Sequence, residues 1–518
     1  MKKIIPLSII MIMFFVTSCN GNSAENASSE VANVQGSVPI AQSDNGTMLD
    51  FPRFDYTKDL RESIQFSDGD DIYITKSGTY EFSGNYEKSN ITVNVNKDID
   101  KGIVYLILNG ITISSNTDAP IKIMEAKDVV IILAEGTHNT VTQGDIQTSD
   151  EDFPSGAIYS KADTVITGAG SLSVTTLYND GINCRDDLII DGSTVTVQAP
   201  FDGIVGKDLL AIADAVITVD AGKDGLKTSN DEDLDRGNLI IESGNFTINA
   251  FNDAISSERS LQIDGGTFNL STGGGFVKVL NVITQGEGPG NYVQATDLLQ
   301  DSMKALKAYD IVINAGIIHI SAYEDGLNAK NNIIINGGTL HILAGDDAVT
   351  ADNALTIYDV DLTVENAYEG LEAPYLTIHG GNITITVLDD AVNGNGDAGL
   401  VRITGGNITL KCRGDGIDAN YDLLIEGGTI VMDITPLYGG GDGGLDVSGT
   451  LTITGGSITD TEGREINAIT TAGRQPRGRQ PGGMQPEPGS MPPDRGSMSL
   501  EPGGMPPDPG RGSVRPAL

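Results

Sequence analysis

Carboxylates recur in this 518-residue chain at a regular interval, each followed by Gly or Ala and then by an aliphatic residue. The phrase reads Asp180-Gly181-Ile182, Asp202-Gly203-Ile204, Asp224-Gly225-Leu226 and Asp253-Ala254-Ile255. It returns as Asp325-Gly326-Leu327, Asp347-Ala348-Val349, Glu369-Gly370-Leu371, Asp390-Ala391-Val392 and Asp415-Gly416-Ile417, with Asp418 close behind. Steps of 22, 22 and 29 residues separate the first four acids, and 22, 22, 21 and 25 the last five. A weaker copy, Met303-Lys304-Ala305-Leu306, begins 22 residues before Asp325. Carboxylates stacked in register repel one another, and either raised pKa values or a bridging cation relieves the repulsion. Ca²⁺ takes about six to eight oxygens, which the acids and turn carbonyls of two neighbouring repeats can supply. The densest clusters are Asp346 with Asp347, Asp389 with Asp390, and the run Asp231-Glu232-Asp233 with Asp235. Each acid is equally an ordinary turn former, since Asp before Gly often hydrogen-bonds its own turn.

The elements that position these acids follow from the residues between them. Gly-Gly pairs stand at 265–266, 337–338, 380–381, 405–406 and 427–428, flanked by period-two alternation such as Leu376-Thr377-Ile378 and Ile383-Thr384-Ile385. Alternation of that kind marks short strands, and glycine supplies the positive φ that sharp turns require. Three short strands and three turns in about 22 residues make one coil of a right-handed parallel β-helix, stacked at about 4.8 Å per coil. No run of ten or more residues with helical periodicity competes with this reading. The solenoid is expected to start near Thr79 and to end near Ile458, within a body spanning 51–464. Two interruptions are expected, at Ser229–Arg236 and from Gly273 to about Asp301. Cys184 and Cys412 lie nine repeats apart, roughly 40 Å along a straight solenoid, which is beyond disulfide reach. Both are expected to be buried free thiols.

The ends of the chain differ from this body. Residues 1–18 read as a lipoprotein signal peptide, with Lys2 and Lys3 before an apolar run from Ile4 to Val16. Val16-Thr17-Ser18-Cys19 resembles a bacterial lipoprotein processing box, which implies that Cys19 carries the lipid and anchors the chain to a membrane. Residues 19–50 read as a flexible tether, and 465–518 as a disordered tail rich in Pro, Gly and Met. Lys and Arg total 32 against 71 Asp and Glu, a net charge of −39, so nucleic acid is excluded as a partner by repulsion.

With these phrases in order, the chain resembles bacterial carbohydrate-binding parallel β-helix proteins related to calcium-dependent pectate lyases. The residues that carry the resemblance include Val104-Tyr105-Leu106-Ile107-Leu108-Asn109-Gly110, Glu135-Gly136-Thr137-His138, Tyr368-Glu369-Gly370-Leu371-Glu372-Ala373 and Gly414-Asp415-Gly416-Ile417-Asp418. The resemblance implies an extracellular protein that binds polysaccharide, either plant cell-wall glucan or acidic pectic sugar, with Ca²⁺ as its cofactor; a monomer is expected. Ala254, Ala348 and Ala391 depart from the Gly of the family pattern, which puts the constancy of the turn in question. Tyr178, Phe201, Phe251, Tyr323 and Tyr368 sit at or just before the repeated acids, where they either line a sugar-binding stripe or pack between coils. No catalytic residue is assigned. A lyase would need a base near the acids, and Lys227, Lys304, Lys307 and Lys330 are the lysines there, though a surface lysine is protonated at neutral pH. An adhesin or surface spacer is the third reading.

Overall fold

In the computed structural model the described residues are 48–466, except 54–55, 57–59, 61–62, 68–70, 147, 149–152, 277–301, 397–398 and 434–443. Cys19, the signal-like segment, nearly all of the tether and of the tail, and most of the expected 273–301 interruption therefore lie outside them. Within them, 44 strands wind into a parallel β-solenoid of about 14 turns, the architecture expected from the repeats.

One coil shows how the sequence builds the fold. Asp180–Cys184 lies on the first face, Asp187–Asp191 on the second and Thr194–Ala199 on the third. Each strand pairs in parallel with its equivalent one coil on: Ile182 with Ile204, Leu188 with Leu210, Val197 with Val219. Inward residues thus stack in columns; one on the third face passes through Val174, Val197, Val219, Ile248 and Leu270, all buried. Each such side chain contributes roughly 1.5–3 kcal/mol by leaving water, and its in-register neighbours fill the space around it. The largest inward rings stack as well, with Phe246 and Phe268 4.6 Å apart and 6° from parallel.

The corners follow the glycine pattern. At the corner between the second and third faces, the later glycine of each pair takes a positive φ, as in Gly266 (+108°) and Gly428 (+91°). At the corner between the third and first faces, the Gly after the acid serves close approach instead. A Cβ on Gly370 would lie 2.2 Å from the Ala391 carbonyl oxygen and 2.8 Å from Ile385 Cγ2. The Ala departures do not break this corner. The main-chain N–H of Ala254, Ala348 and Ala391 each donates to the residue at the acid position one coil on, as Gly181 does to Asp202.

The solenoid begins earlier than the repeats indicate. Ile64–Ser67 already pairs with Tyr80–Ser83, and Phe66 stacks on Phe82 at 5.3 Å. This first coil has an Asp-Gly at 68–69 but no aliphatic residue directly after the glycine and no Gly-Gly pair, so the repeated phrase does not mark it. Before it, the chain runs back along the second face. Leu49 exchanges two hydrogen bonds with the Gln262 side chain, and Arg53 pairs with Glu242. Both remaining cysteines are free and buried, as expected.

Candidate functional site

The repeated acids form one column along the corner between the third and first faces, held by a hydrogen bond that repeats from coil to coil. Asp180 Oδ1 accepts the main-chain N–H of Asp202, Asp202 Oδ1 that of Asp224, and Asp224 Oδ1 that of Asp253, each at 3.1 Å. Asp253 Oδ1 accepts from Lys304 at 2.9 Å, and Asp325 Oδ1 from Asp347 at 3.3 Å. Asp390 Oδ1 accepts from Asp415 at 2.6 Å. The carboxylate therefore ties each coil to the next, a role that the turn-former reading assigned to its own turn. A second column stands beside the first on the first face, in register through Asn183, Val205, Lys227, Ser256, Lys307, Asn328, Thr350, Glu372, Asn393 and Asp418.

These two columns divide the site into a neutralised and an un-neutralised part. In the middle coils, Lys227 Nζ pairs with Asp224 at 2.8 Å and Asp202 at 3.1 Å, and Lys307 with Asp253 at 2.9 Å. Lys304 occupies the place of an acid in its coil and pairs with Asp325 at 2.5 Å and Glu324 at 3.5 Å. Burial alone would lower the pKa of Lys304, but Asp325 and Glu324 outweigh it and raise it to about 12. Lys227 is raised in the same way by Asp224 and Asp202 against the effect of its burial.

Further along comes a group of acids without such a lysine. Asp347, Glu369 and Glu372 bring carboxylate oxygens within 4.8 Å of one another. Among the described residues no Lys or Arg pairs with these three. Burial, then the neighbouring acids, drive the pKa values up: Asp346 to about 7, Asp347 well above the usual range, and Glu369 to about 8. Asn393 donates to Glu369 Oε2 at 2.8 Å, Thr350 to Glu372 Oε2 at 3.2 Å and Asn395 to Glu372 Oε1 at 2.7 Å. Two buried oxygens beside the trio, Asp346 Oδ1 and Asn393 Oδ1, have no hydrogen-bond partner. Three carboxylates and two orphaned oxygen acceptors form a hard, all-oxygen donor set of the kind Ca²⁺ takes. Asp180, at the other end of the column, is raised to about 7, first by burial and then by Asp202.

The remaining acids are placed differently. Asp389 accepts the Tyr368 hydroxyl, and Asp415 is buried on the next coil. Asp418 pairs in register with Asn393 and Asp446. Asp231, Glu232, Asp233 and Asp235 do not join the column. Their loop projects from the corner between the first and second faces, exposed, with Asn230 Oδ1 accepting the N–H groups of Glu232 and Asp233. Arg236 leaves this loop to pair with Asp208 and Asp186. A second carboxylate group near it, Asp163 with Asp186 and Asp187, falls outside the repeated phrase, so spacing gave no signal for it. Glu372 was also missed, although it lies three residues past Glu369, where Asn183 and Lys227 stand in other coils.

Of the five aromatic residues, Phe201 and Phe251 are exposed, and Lys223 Nζ sits 4.5 Å over the Phe201 ring. Tyr178 and Tyr368 are half-buried, and Tyr178 meets Phe153 edge-on at 5.5 Å. Tyr323 is buried against Met303, so it offers no ring face to a ligand. The five do not make one stripe.

Comparison with known proteins places this geometry in a family. A family model described as "Carbohydrate-binding domain-containing protein" matches residues 68–348 and 344–465, the length of the solenoid. The chain belongs to this family. A curated relative of the same description from Acetivibrio thermocellus is 31% identical over 201 residues, 38% of this chain and 65% of the relative. The chain thus spans just under two thirds of that relative's length. A solved structure described as a polysaccharide lyase-like protein from C. thermocellum, a gadolinium derivative, is 33% identical. It covers 41% of this chain and 91% of its own, with a TM-score of 0.39.

Proposed function

We propose that this protein binds polysaccharide without cleaving it, as a monomer held at the cell surface through Cys19, with Ca²⁺ bound along its acidic column. Membership of a carbohydrate-binding family over residues 68–465 carries the binding part of this reading. The Ca²⁺ part is supported by the trio Asp347, Glu369 and Glu372 with the orphaned Asn393 Oδ1. When bound, the ion would offset the burial and the mutual repulsion that raise these pKa values and could bridge to an acidic sugar, which the chain's own charge repels.

The lysines argue against a lyase. A lysine abstracts a proton only when it is itself unprotonated, yet Lys227 and Lys304 are held protonated in ion pairs and Lys307 is paired with Asp253. Isothermal titration with polygalacturonate, with and without Ca²⁺, tests the reading, together with absorbance for unsaturated products. Ca²⁺-dependent heat without new absorbance is expected. Rising absorbance would make the protein a lyase, and no heat with either an acidic or a neutral polysaccharide would leave an adhesin or spacer.

A further inference from the structure

The corner between the first and second faces, away from the acidic column, carries a row of tyrosines. Tyr309, Tyr375 and Tyr421 are 42%, 42% and 46% exposed, and Tyr73 is the one other exposed tyrosine among the described residues. Three of four on one corner is an ordered arrangement, and the main chain fixes its order. Asn331 N–H donates to the Tyr309 carbonyl, Asn353 to that of Asn331, and Tyr375 to that of Asn353, at 2.9–3.1 Å. Tyr309, Asn331, Asn353 and Tyr375 therefore stand on four successive coils, which puts the two rings roughly 14 Å apart along the axis. Tyr421 precedes the strand Asp422–Ile425, two pairings beyond the strand that Tyr375 begins, or roughly 10 Å further.

Between the rings lies an amide ladder. Asn353 Nδ2 donates to Asn332 Oδ1 at 2.8 Å and to Asn331 Oδ1 at 3.2 Å, and Asn331 Nδ2 donates to Asp310 Oδ1 at 2.9 Å. The exposed Asn353 keeps its side-chain Oδ1 for an outside donor. At the near end, Tyr309 helps to wall a cavity of about 640 Å³ with Leu234, Arg259, Asp310 and Asn332. Leu234 is 75% exposed at its rim.

Exposed rings in line, with amides between them, suit a ligand that is apolar on its ring faces and hydroxylated at its edges, which is the chemistry of a pyranose. The charges nearby select further. Asp310 and Asp422 directly follow Tyr309 and Tyr421, and Asp352 precedes Asn353, on a chain of net charge −39, which disfavours a polyanion here. We propose that this corner is a stacking ridge for a neutral, extended glycan chain lying along the solenoid axis. The proposal rests on the polysaccharide-binding reading and adds a second surface to it, chemically distinct from the acidic column.

The test is titration of the full protein and of ridge variants with linear cello-oligosaccharides and a soluble neutral β-glucan, read by heat and by the tyrosine ultraviolet difference spectrum. Each of Tyr309→Ala, Tyr375→Ala and Tyr421→Ala is expected to weaken neutral-glycan binding about two- to tenfold, and the triple Ala variant about a hundredfold. The triple Phe variant, which keeps the rings, should bind within about threefold of the unaltered protein. Circular dichroism identifies any variant that fails to fold, and the difference spectrum of the unaltered protein then decides. Neutral-glycan binding that leaves the tyrosine spectrum unperturbed, or that survives in a folded triple Ala variant, overturns the ridge while polysaccharide binding stands. So does Ca²⁺-dependent binding of polygalacturonate with none of the neutral chains. If neither polymer binds, both the ridge and the polysaccharide reading fail.

Discussion

Raising the pH from about 5 to about 8.5 in the absence of Ca²⁺ is expected to destabilise this protein, opposite to the common behaviour of proteins held by ionised carboxylates. The sign follows from the acidic trio. Glu369 has a pKa raised from 4.5 to about 8, first by burial and then, against the hydrogen bond from Asn393, by Glu372, Asp390 and Asp389. Between those two values the folded chain holds a proton that the unfolded chain has released, so stability falls across that window and levels off above it. At about 1.4 kcal/mol per pKa unit, the rise sets an upper bound of roughly 5 kcal/mol. Asp346 and Asp347, which share Glu372 with Glu369, and Asp180 are raised as well, in the same direction; the shifts of interacting acids do not add in full, and a net fall of at least roughly 2–5 kcal/mol is expected. Glu81, Asp100 and Asp460 are held below their ordinary values by hydrogen bonds and titrate beneath this window. Urea denaturation at a series of pH values measures the fall, and Glu369→Gln should make it shallower by the share that Glu369 carries, leaving the part due to Asp180, Asp346 and Asp347. Saturating Ca²⁺ should stabilise the protein near pH 8 by about 2.7 kcal/mol at a hundredfold excess over its Kd, and much less near pH 5, where protons occupy the site. Stability that rises with pH in the absence of Ca²⁺, or a Ca²⁺ effect equal at both ends, would refute the reasoning.

The solenoid was legible in the sequence because its period is enforced physically. Every coil must return its aliphatic residues to the same columns, so Ile204 has to follow Ile182 and Val219 has to follow Val197 at one interval. The acidic column was legible for the same reason, since Asp180, Asp202 and Asp224 each bond the next coil at an equivalent position. What spacing could not show was which acids are neutralised. Lys304 replaces an acid, and Lys227 and Lys307 come from the adjacent column, so the division at Asp346 depends on two columns read side by side. Glu372 belongs to that second column and carries no mark of its own. The tyrosine ridge escaped for a related reason. Tyr309, Tyr375 and Tyr421 are 66 and 46 residues apart, intervals that contain coils of 21, 25 and 22 residues, and only the pairing of strands brings them to one corner.

Three further substitutions and one chemical treatment probe the parts of the fold that hold the site. Gly370→Val forces a branched Cβ against the Ala391 carbonyl and Ile385, and should lower the urea midpoint by the equivalent of about 1–3 kcal/mol, whereas Ala348→Gly should cost under about 1 kcal/mol. Cys184 and Cys412, whose pKa values burial lifts to about 12, should react with a thiol reagent at neutral pH only as fast as the solenoid opens, and a fast phase in the folded protein would contradict their placement. Lys304→Met bears most directly on the column. Asp325 and Glu324, 3% and 5% exposed, would lose the one cation among the described residues that pairs with them, a loss of roughly 3–5 kcal/mol near pH 7. Because the uncompensated acids can then take up protons, the deficit should shrink toward pH 5, and a deficit that stays constant with pH would mean that Lys304 acts through packing and not through its charge.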